Sequence, residues 1–186
     1  FYKFYEELFF PYLEENDITT VIHLGDVMDR RKFISYRIAK DFRERFLDKF
    51  DDIQFHMLVG NHDTYYKNTN DVNSVEQLFD GESEFVKFYA EPTTIEIDGK
   101  KLDLLPWINR GNKEATLDFL RNTTSHVCFG HLEITGHMML PGVKCEGGLD
   151  PKFFKKYKKV YSGHFHTKSS DKNVSYLGTA YQITFS

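Results

Sequence analysis

The sequence predicts an α/β domain with mixed sheets, and two patterns predict it. Short apolar runs ending in glycine alternate with segments of helical periodicity in the first half of the chain, and strands joined by a hairpin signal follow in the second. A third pattern gives the domain a purpose. Polar residues of the kind that bind metals stand repeatedly just past the predicted strands, where open α/β sheets place their sites.

The elements follow in order. Residues 1–16 carry Phe1, Tyr5, Leu8, Phe9, Tyr12 and Leu13 at helical spacing and end in a polar stretch, which predicts a helix with those side chains inward. Thr20–Leu24 is a strand stopped by Gly25. Residues 33–50 are an amphipathic helix through Ile34, Ile38, Phe42, Phe46 and Leu47. Phe55–Val59 is a strand stopped by Gly60, and the polar stretch 61–73 is a loop leading to a short helix at Ser74–Phe79. Thr93–Ile97 and Lys101–Leu105 flank Asp98-Gly99, a strong signal for a two-residue hairpin turn. A helix is expected over 113–121, strands over Ser125–Phe129 and Val160–Ser162, a short helix over 151–157 and a last strand over Val174–Leu177. No repeat, linker or low-complexity tract divides the chain, so residues 1–186 are read as one domain.

Composition narrows the class. The 186 residues are 40% hydrophobic and include 18 Phe and 11 Tyr, yet no apolar run approaches the roughly 20 residues needed to span a bilayer. No signal-peptide pattern opens the chain, so no membrane association and a cytoplasmic location are expected. Cys128 and Cys145 are read as free thiols. A net charge of −4 lacks the basic signature of a stand-alone DNA binder. It does not exclude DNA, because a cleft that collects carboxylates for cations looks acidic until they are bound.

Four runs carry the chemistry: Gly25-Asp26 with Asp29-Arg30, Gly60-Asn61-His62-Asp63, Gly130-His131, and Gly163-His164-Phe165-His166. A pair of divalent cations about 3.5–4 Å apart, served by a shared carboxylate and several neutral donors, polarises a phosphoryl group and stabilises the attacking and leaving oxygens. Asp26 suits the shared carboxylate; Asn61 offers an amide oxygen, and His131, His164 and His166 offer ring nitrogens. His62 is read as an acid toward the leaving group, with Asp63 holding its tautomer. Arg30, Arg31, Tyr66 and Lys67 are candidates for substrate contact, through phosphate or base stacking. The simpler readings apply elsewhere. His23 and His56 are expected in the core or on a sheet face, His126 and His137 in solvent, and Lys152, Lys155, Lys156, Lys158 and Lys159 on a solvated helix face.

These runs, in this order, resemble the calcineurin-like metallophosphoesterase superfamily. The segments around Val59–Asp63 with Tyr66-Lys67-Asn68, Leu104-Leu105-Pro106-Trp107 and Tyr161–Thr167 are similar to its SbcD/Mre-type DNA repair and recombination nucleases, in their phage form. The resemblance implies a four-layer α/β/β/α sandwich and a manganese-dependent DNA exo- and endonuclease working with an SMC-like ATPase subunit of the SbcC type. It implies two divalent cations, most simply Mn²⁺, with Asp26 bridging, Asn61, His131 and His164 on the second metal, His166 on the first, and His62 catalytic.

Two departures shape the expectation. The superfamily's Asp-x-His triplet does not precede Asp26, where Asp17 is followed by Ile18 and Thr19, and the chain opens on Phe1. The first strand and its two ligands, and a DNA-capping region at the other end, are therefore expected to be missing, leaving the first metal site incomplete. Asp29 also stands where many cellular members carry a histidine. The leading expectation is a DNA nuclease subunit, with a homodimer drawn from the family and from the aromatic residues of 1–12. The alternatives are a relative acting on small phosphoesters or phosphoproteins, and an incompetent fragment keeping only folding or partner contacts.

Overall fold

The computed structural model describes residues 1–81 and 83–180. Strands β1 (Thr20–His23), β2 (Gln54–Leu58) and β3 (Val86–Tyr89) form a parallel sheet in that order. β4 (Thr93–Ile97), β5 (Lys100–Leu105), β6 (Val127–Gly130), β9 (Lys159–Ser162), β10 (Ser169–Asp171) and β11 (Val174–Tyr176) form a second, mixed sheet in the order β10-β11-β9-β6-β5-β4, and β7 (Met138–Leu140) pairs with β8 (Val143–Lys144) as a small hairpin.

Alternation along the strands fixes the layers. In β2, Phe55 and Met57 join a core with Leu13, Phe42, Phe46, Phe50 and Phe79, so His56 and Leu58 point the other way. In β5, Leu105 joins a second core with Leu117, Leu120, Phe154 and Val160, so the fully buried Leu104 points away from it. Each sheet thus keeps its helices on one face and turns its other face toward the other sheet, the expected α/β/β/α sandwich. The first core is where the phenylalanines went: Phe50 stacks on Phe55 with centroids 4.2 Å apart, and Phe46 lies edge-on to both.

The first helix spans 2–15 but contains a π-helical turn at Tyr5–Phe9 between Tyr2–Phe4 and Phe10–Glu15. The wider turn rotates the face that follows. Phe10 packs inward with Tyr5, Phe9 and Leu13, while Leu8 and Tyr12, expected inside, are exposed. The predicted helix at 33–50 is shorter, running Tyr36–Arg45 behind a Ser35 cap whose hydroxyl accepts from the Ile38 amide, with a 3₁₀ turn at Leu47–Lys49. Ser74–Phe79 matches its prediction and is capped by Asn73. The Asp98-Gly99 turn is as read: both residues have positive φ, 51° and 69°, and Ile97 faces Lys100 across two residues. The expected helix at 151–157 is a 3₁₀ turn, Pro151–Phe154. Strands β3, β7, β8 and β10 were not foreseen. Cys128 and Cys145 are free and buried, and among the described residues no helix is long and apolar enough to cross a membrane.

Candidate metal centre

The site forms where β1, β2, β6 and β9 end. Parallel register puts Gly130 beside Ser162, and the Gly163 amide donates to the Gly130 carbonyl at 3.0 Å. From the other sheet, Gly25 and Gly60 approach so closely that side chains are excluded. A Cβ on Gly60 would lie 2.3 Å from both the amide nitrogen and Oδ1 of Asp26, and one on Gly25 would lie 2.8 Å from Nδ1 of His131. The glycines that stop the strands are therefore what lets the two sheets' loops share one point.

Gly25 (φ 90°) and Asp26 (φ 59°) turn the chain out of β1 in left-handed conformations. The carboxylate of Asp63, fully buried, holds that turn. Its Oδ2 accepts from the amides of Asp26 and Gly60, each at 2.8 Å, and its Oδ1 from those of Val27 and Met28, each at 3.0 Å. Burial and the Asp26 charge push Asp63's pKa up, while these amides pull it down and suit the acceptor-only ionised form. Asp63 therefore does not touch the ring of His62, and the expected pairing is corrected. Nδ1 of His62 sits 2.8 Å from the Asp29 carbonyl instead. The sequence invited the error because the two residues are adjacent, whereas the donors that claim Asp63 come mostly from residues 26–28.

Four donor atoms converge. Nε2 of His131 lies 3.2 Å from Asp26 Oδ2 and 2.9 Å from Asn61 Oδ1; Nδ1 of His164 lies 2.9 Å from that same oxygen and 3.2 Å from His131 Nε2. Asp26, His131 and His164 are accordingly a group that could hold a metal ion. His131, nearly inaccessible, places Nδ1 2.6 Å from the Leu24 carbonyl. That contact selects the Nδ1–H tautomer and leaves the Nε2 lone pair facing the other donors. Burial opposes Asp26's charge, but His131 and the His62 amide hold its pKa down to about 2. Burial lowers and Asp26 raises that of His131, with a net upward shift, whereas burial and His131 hold His164 at about 4. His164 also has a positive φ of 71°, and strain of this kind concentrates at functional sites.

The donor set fits a small divalent cation. Neighbouring ligands of an octahedral ion at about 2.1 Å are about 3.0 Å apart, and the spacings here run from 2.9 to 3.2 Å. With its Nδ1–H on the Leu24 carbonyl, neutral His131 turns an Nε2 lone pair to the Asn61 oxygen and to Asp26, a juxtaposition that a cation reconciles.

The remaining candidates divide. His166 is exposed and outside the convergent group. His62 is exposed at the rim, its amide donating to Asp26 Oδ1 at 2.7 Å. Arg31 is partly buried, and one guanidinium nitrogen donates to Thr64 Oγ1 at 2.7 Å, which braces the loop. Arg30 is exposed beside Asp29, and Tyr66 and Lys67 are exposed, with Tyr66 edge-on to Tyr65. His137, expected in solvent, is buried against Tyr176. His23, read as a core or sheet-face residue, is half-buried in β1, and its Nδ1 accepts from the Gly25 amide at 3.2 Å. His126 is exposed as expected, and the five lysines are exposed but share no helix face, since Lys152 lies in the 3₁₀ turn and Lys159 opens β9. The sequence reading missed Asp29's carbonyl, which orients His62, and gave no role to Trp107, which follows β5 as the motif residues follow their strands and packs on His164.

Comparison with known proteins identifies the family. The family model described as calcineurin-like phosphoesterase matches residues 1–168. The chain is 39% identical over 175 residues to exonuclease subunit 1 of Enterobacteria phage T4, covering 93% of this chain and 51% of that protein. It thus spans about half the length of this curated relative. The crystal structure of a hypothetical protein from Thermus thermophilus is similar over 95% of this chain and 72% of that one, with 18% identity and a TM-score of 0.49.

Proposed function

The chain belongs to the calcineurin-like phosphoesterase family, and from that premise we propose that it is the phosphoesterase core of a metal-dependent DNA nuclease subunit. The observation that carries the proposal is the meeting of Asp26, Asn61, His131 and His164 at one point, with donor spacings matched to a small divalent ion. The relative's name, an exonuclease subunit, supports a nucleic acid as substrate and a multisubunit assembly, and DNA is a finer part of the reading. An SbcC-type ATPase partner, a role in recombination and repair, and Mn²⁺ as the native ion are the finer parts of the same reading.

Asp26, Asn61, His131 and His164 would hold the ion; when bound, such a centre polarises a phosphoryl oxygen and activates a water. The chain's own groups do the rest. His62, with Nδ1–H donated to the Asp29 carbonyl, turns Nε2 outward, where as the imidazolium it would give the Nε2 proton to the departing oxygen of a phosphodiester and be left neutral. Its backbone amide, fixed on Asp26 Oδ1, keeps that ring in register with the carboxylate. Exposed Arg30, Tyr66 and Lys67 border the loops that carry Asp26 and His62 and would meet the DNA backbone and bases.

A homodimer is part of the proposal. Phe1, Phe33 and Ile38 are at least half exposed around a groove of about 810 Å³ that also reaches Asp29 and Arg30, and apolar surface of this kind marks an interface.

Calorimetric titration with Mn²⁺, followed by parallel assays on DNA and a chromogenic phosphodiester, tests the reading. One tight site is expected, because the described residues gather Asp26, His131 and His164 with Asn61 at one point and leave His166 apart. Two tight sites of equal affinity would refute that assignment. No binding would mean that Asn61's amide instead turns its N–H₂ toward the rings. Cleavage of the small ester with DNA untouched would move the chain to the phosphoesters of its wider family.

A further inference from the structure

His164 differs from its partner His131 in how it is held. The carbonyl of Leu24 fixes His131 through its second ring nitrogen, the usual device for orienting a metal-binding imidazole. Among the described residues, no hydrogen bond reaches Nε2 of His164, and its backbone is in the left-handed region. Its ring is instead framed by aromatics. Trp107 lies over it at 5.2 Å between centroids and 33° between planes, and Phe165, itself stacked on Tyr176, flanks it at 5.0 Å.

Trp107 is in turn anchored from three sides. Its amide donates to the Val59 carbonyl at 2.8 Å, tying it to the end of β2 just before Gly60-Asn61. Its carbonyl accepts from Asn70 at 2.9 Å and from Asn112 at 3.0 Å. Asn109 closes the network by donating to Asn70 Oδ1 at 2.9 Å and through its amide to Asn112 Oδ1 at 2.8 Å. All three asparagines are buried, and a fully satisfied buried polar network is rigid. The network joins the loop after Asn61 and His62 to the segment after β5.

We propose that Trp107 is a positioning residue for the cation site, a plate fixed by the Asn70-Asn109-Asn112 network that holds the His164 ring with Nδ1 on Asn61 and His131. This rests on the cation reading above and adds the element that orients its least tethered ligand.

The test compares Trp107→Phe with Trp107→Leu. Phenylalanine keeps a flat ring and removes an indole N–H that is buried without an acceptor; leucine fills space without a plate. Calorimetry with Mn²⁺ alone should find the Phe variant equal to the parent and the Leu variant weaker by about 10- to 100-fold, the usual cost of losing a group that orients a ligand. A Leu variant that binds as tightly as the parent, or a Phe variant weakened as much as Leu, overturns the proposal. A parent that binds no Mn²⁺ overturns the cation reading itself.

If the Leu variant does not fold, the parent decides. Trp107 is the single tryptophan of the chain, so its fluorescence should be quenched by paramagnetic Mn²⁺ with the midpoint of the calorimetric curve, and His164→Ala should abolish that response. Binding without quenching overturns the proposal.

Discussion

Replacing Asp63 by asparagine separates two roles that the sequence alone confuses. Each carboxylate oxygen accepts two backbone amides, Asp26 and Gly60 on one and Val27 and Met28 on the other. Whichever oxygen becomes N–H₂ in Asp63→Asn, two buried N–H donors lose their acceptor and face another donor. An unsatisfied buried donor costs about 1–3 kcal/mol, so the substitution should destabilise by about 2–6 kcal/mol. At roughly 2–4 °C per kcal/mol for a chain of this size, the melting temperature should fall by about 4 °C at the least and about 24 °C at the most. His62→Ala is the control: the ring is exposed and its removal should move the melting temperature by little while abolishing hydrolysis. Melting curves of the two variants without added metal decide. Were Asp63 chiefly the partner of the His62 ring, Asp63→Asn would melt with the parent and lose activity only, and the clamp described above would be refuted.

Gly60→Ala brings a Cβ to 2.3 Å from Asp26, about 1 Å inside ordinary contact, so destabilisation of about 1–3 kcal/mol and loss of tight Mn²⁺ binding are expected by melting and calorimetry; parental affinity would contradict the close approach. His23 is held near pKa 4, from an ordinary 6.5, by burial and then by the charge of His131. Between those values the unfolded chain binds a proton that the folded chain refuses, so stability falls as pH drops through the window. In urea titrations at pH 7 and pH 5, His23→Gln should lose less stability than the parent on acidification; parallel losses would show that His23 does not titrate on unfolding. Arg30→Ala should weaken DNA binding and leave melting unchanged, whereas Arg31→Ala, which frees Thr64, should lower the melting temperature; the reverse pattern would exchange their roles.

Much of this architecture was readable from spacing because strand ends and glycines are local features. Gly25, Gly60, Gly130 and Gly163 each mark a strand exit, and the residues after them converge as their order implied. What sequence could not supply was the direction of long-range hydrogen bonds. Asp63 follows His62 in the chain but is claimed by amides of residues 26–28, and Arg31 is claimed by Thr64. Burial by tertiary packing likewise hid His137, and the π-helical turn near the start moved Leu8 and Tyr12 outward against a clear periodicity. Short edge pieces such as β7, β8 and β10 carry too few residues to show an alternation.

The spacing of the four donors also acts as a ruler. Asp26 is held in left-handed backbone by the Asp63 carboxylate that its amide meets and by the close contacts of Gly25 and Gly60, so the carboxylate end of the site is fixed by buried bonds. Calcium, with oxygen contacts near 2.4 Å, would need neighbouring ligands about 3.4 Å apart, wider than the 2.9–3.2 Å that separate His131 from Asp26, Asn61 and His164, and His164 from Asn61. Calorimetry with Ca²⁺ beside Mn²⁺ is therefore expected to find the weaker binding for Ca²⁺, and equal affinities would show that the donors move apart to suit the larger ion.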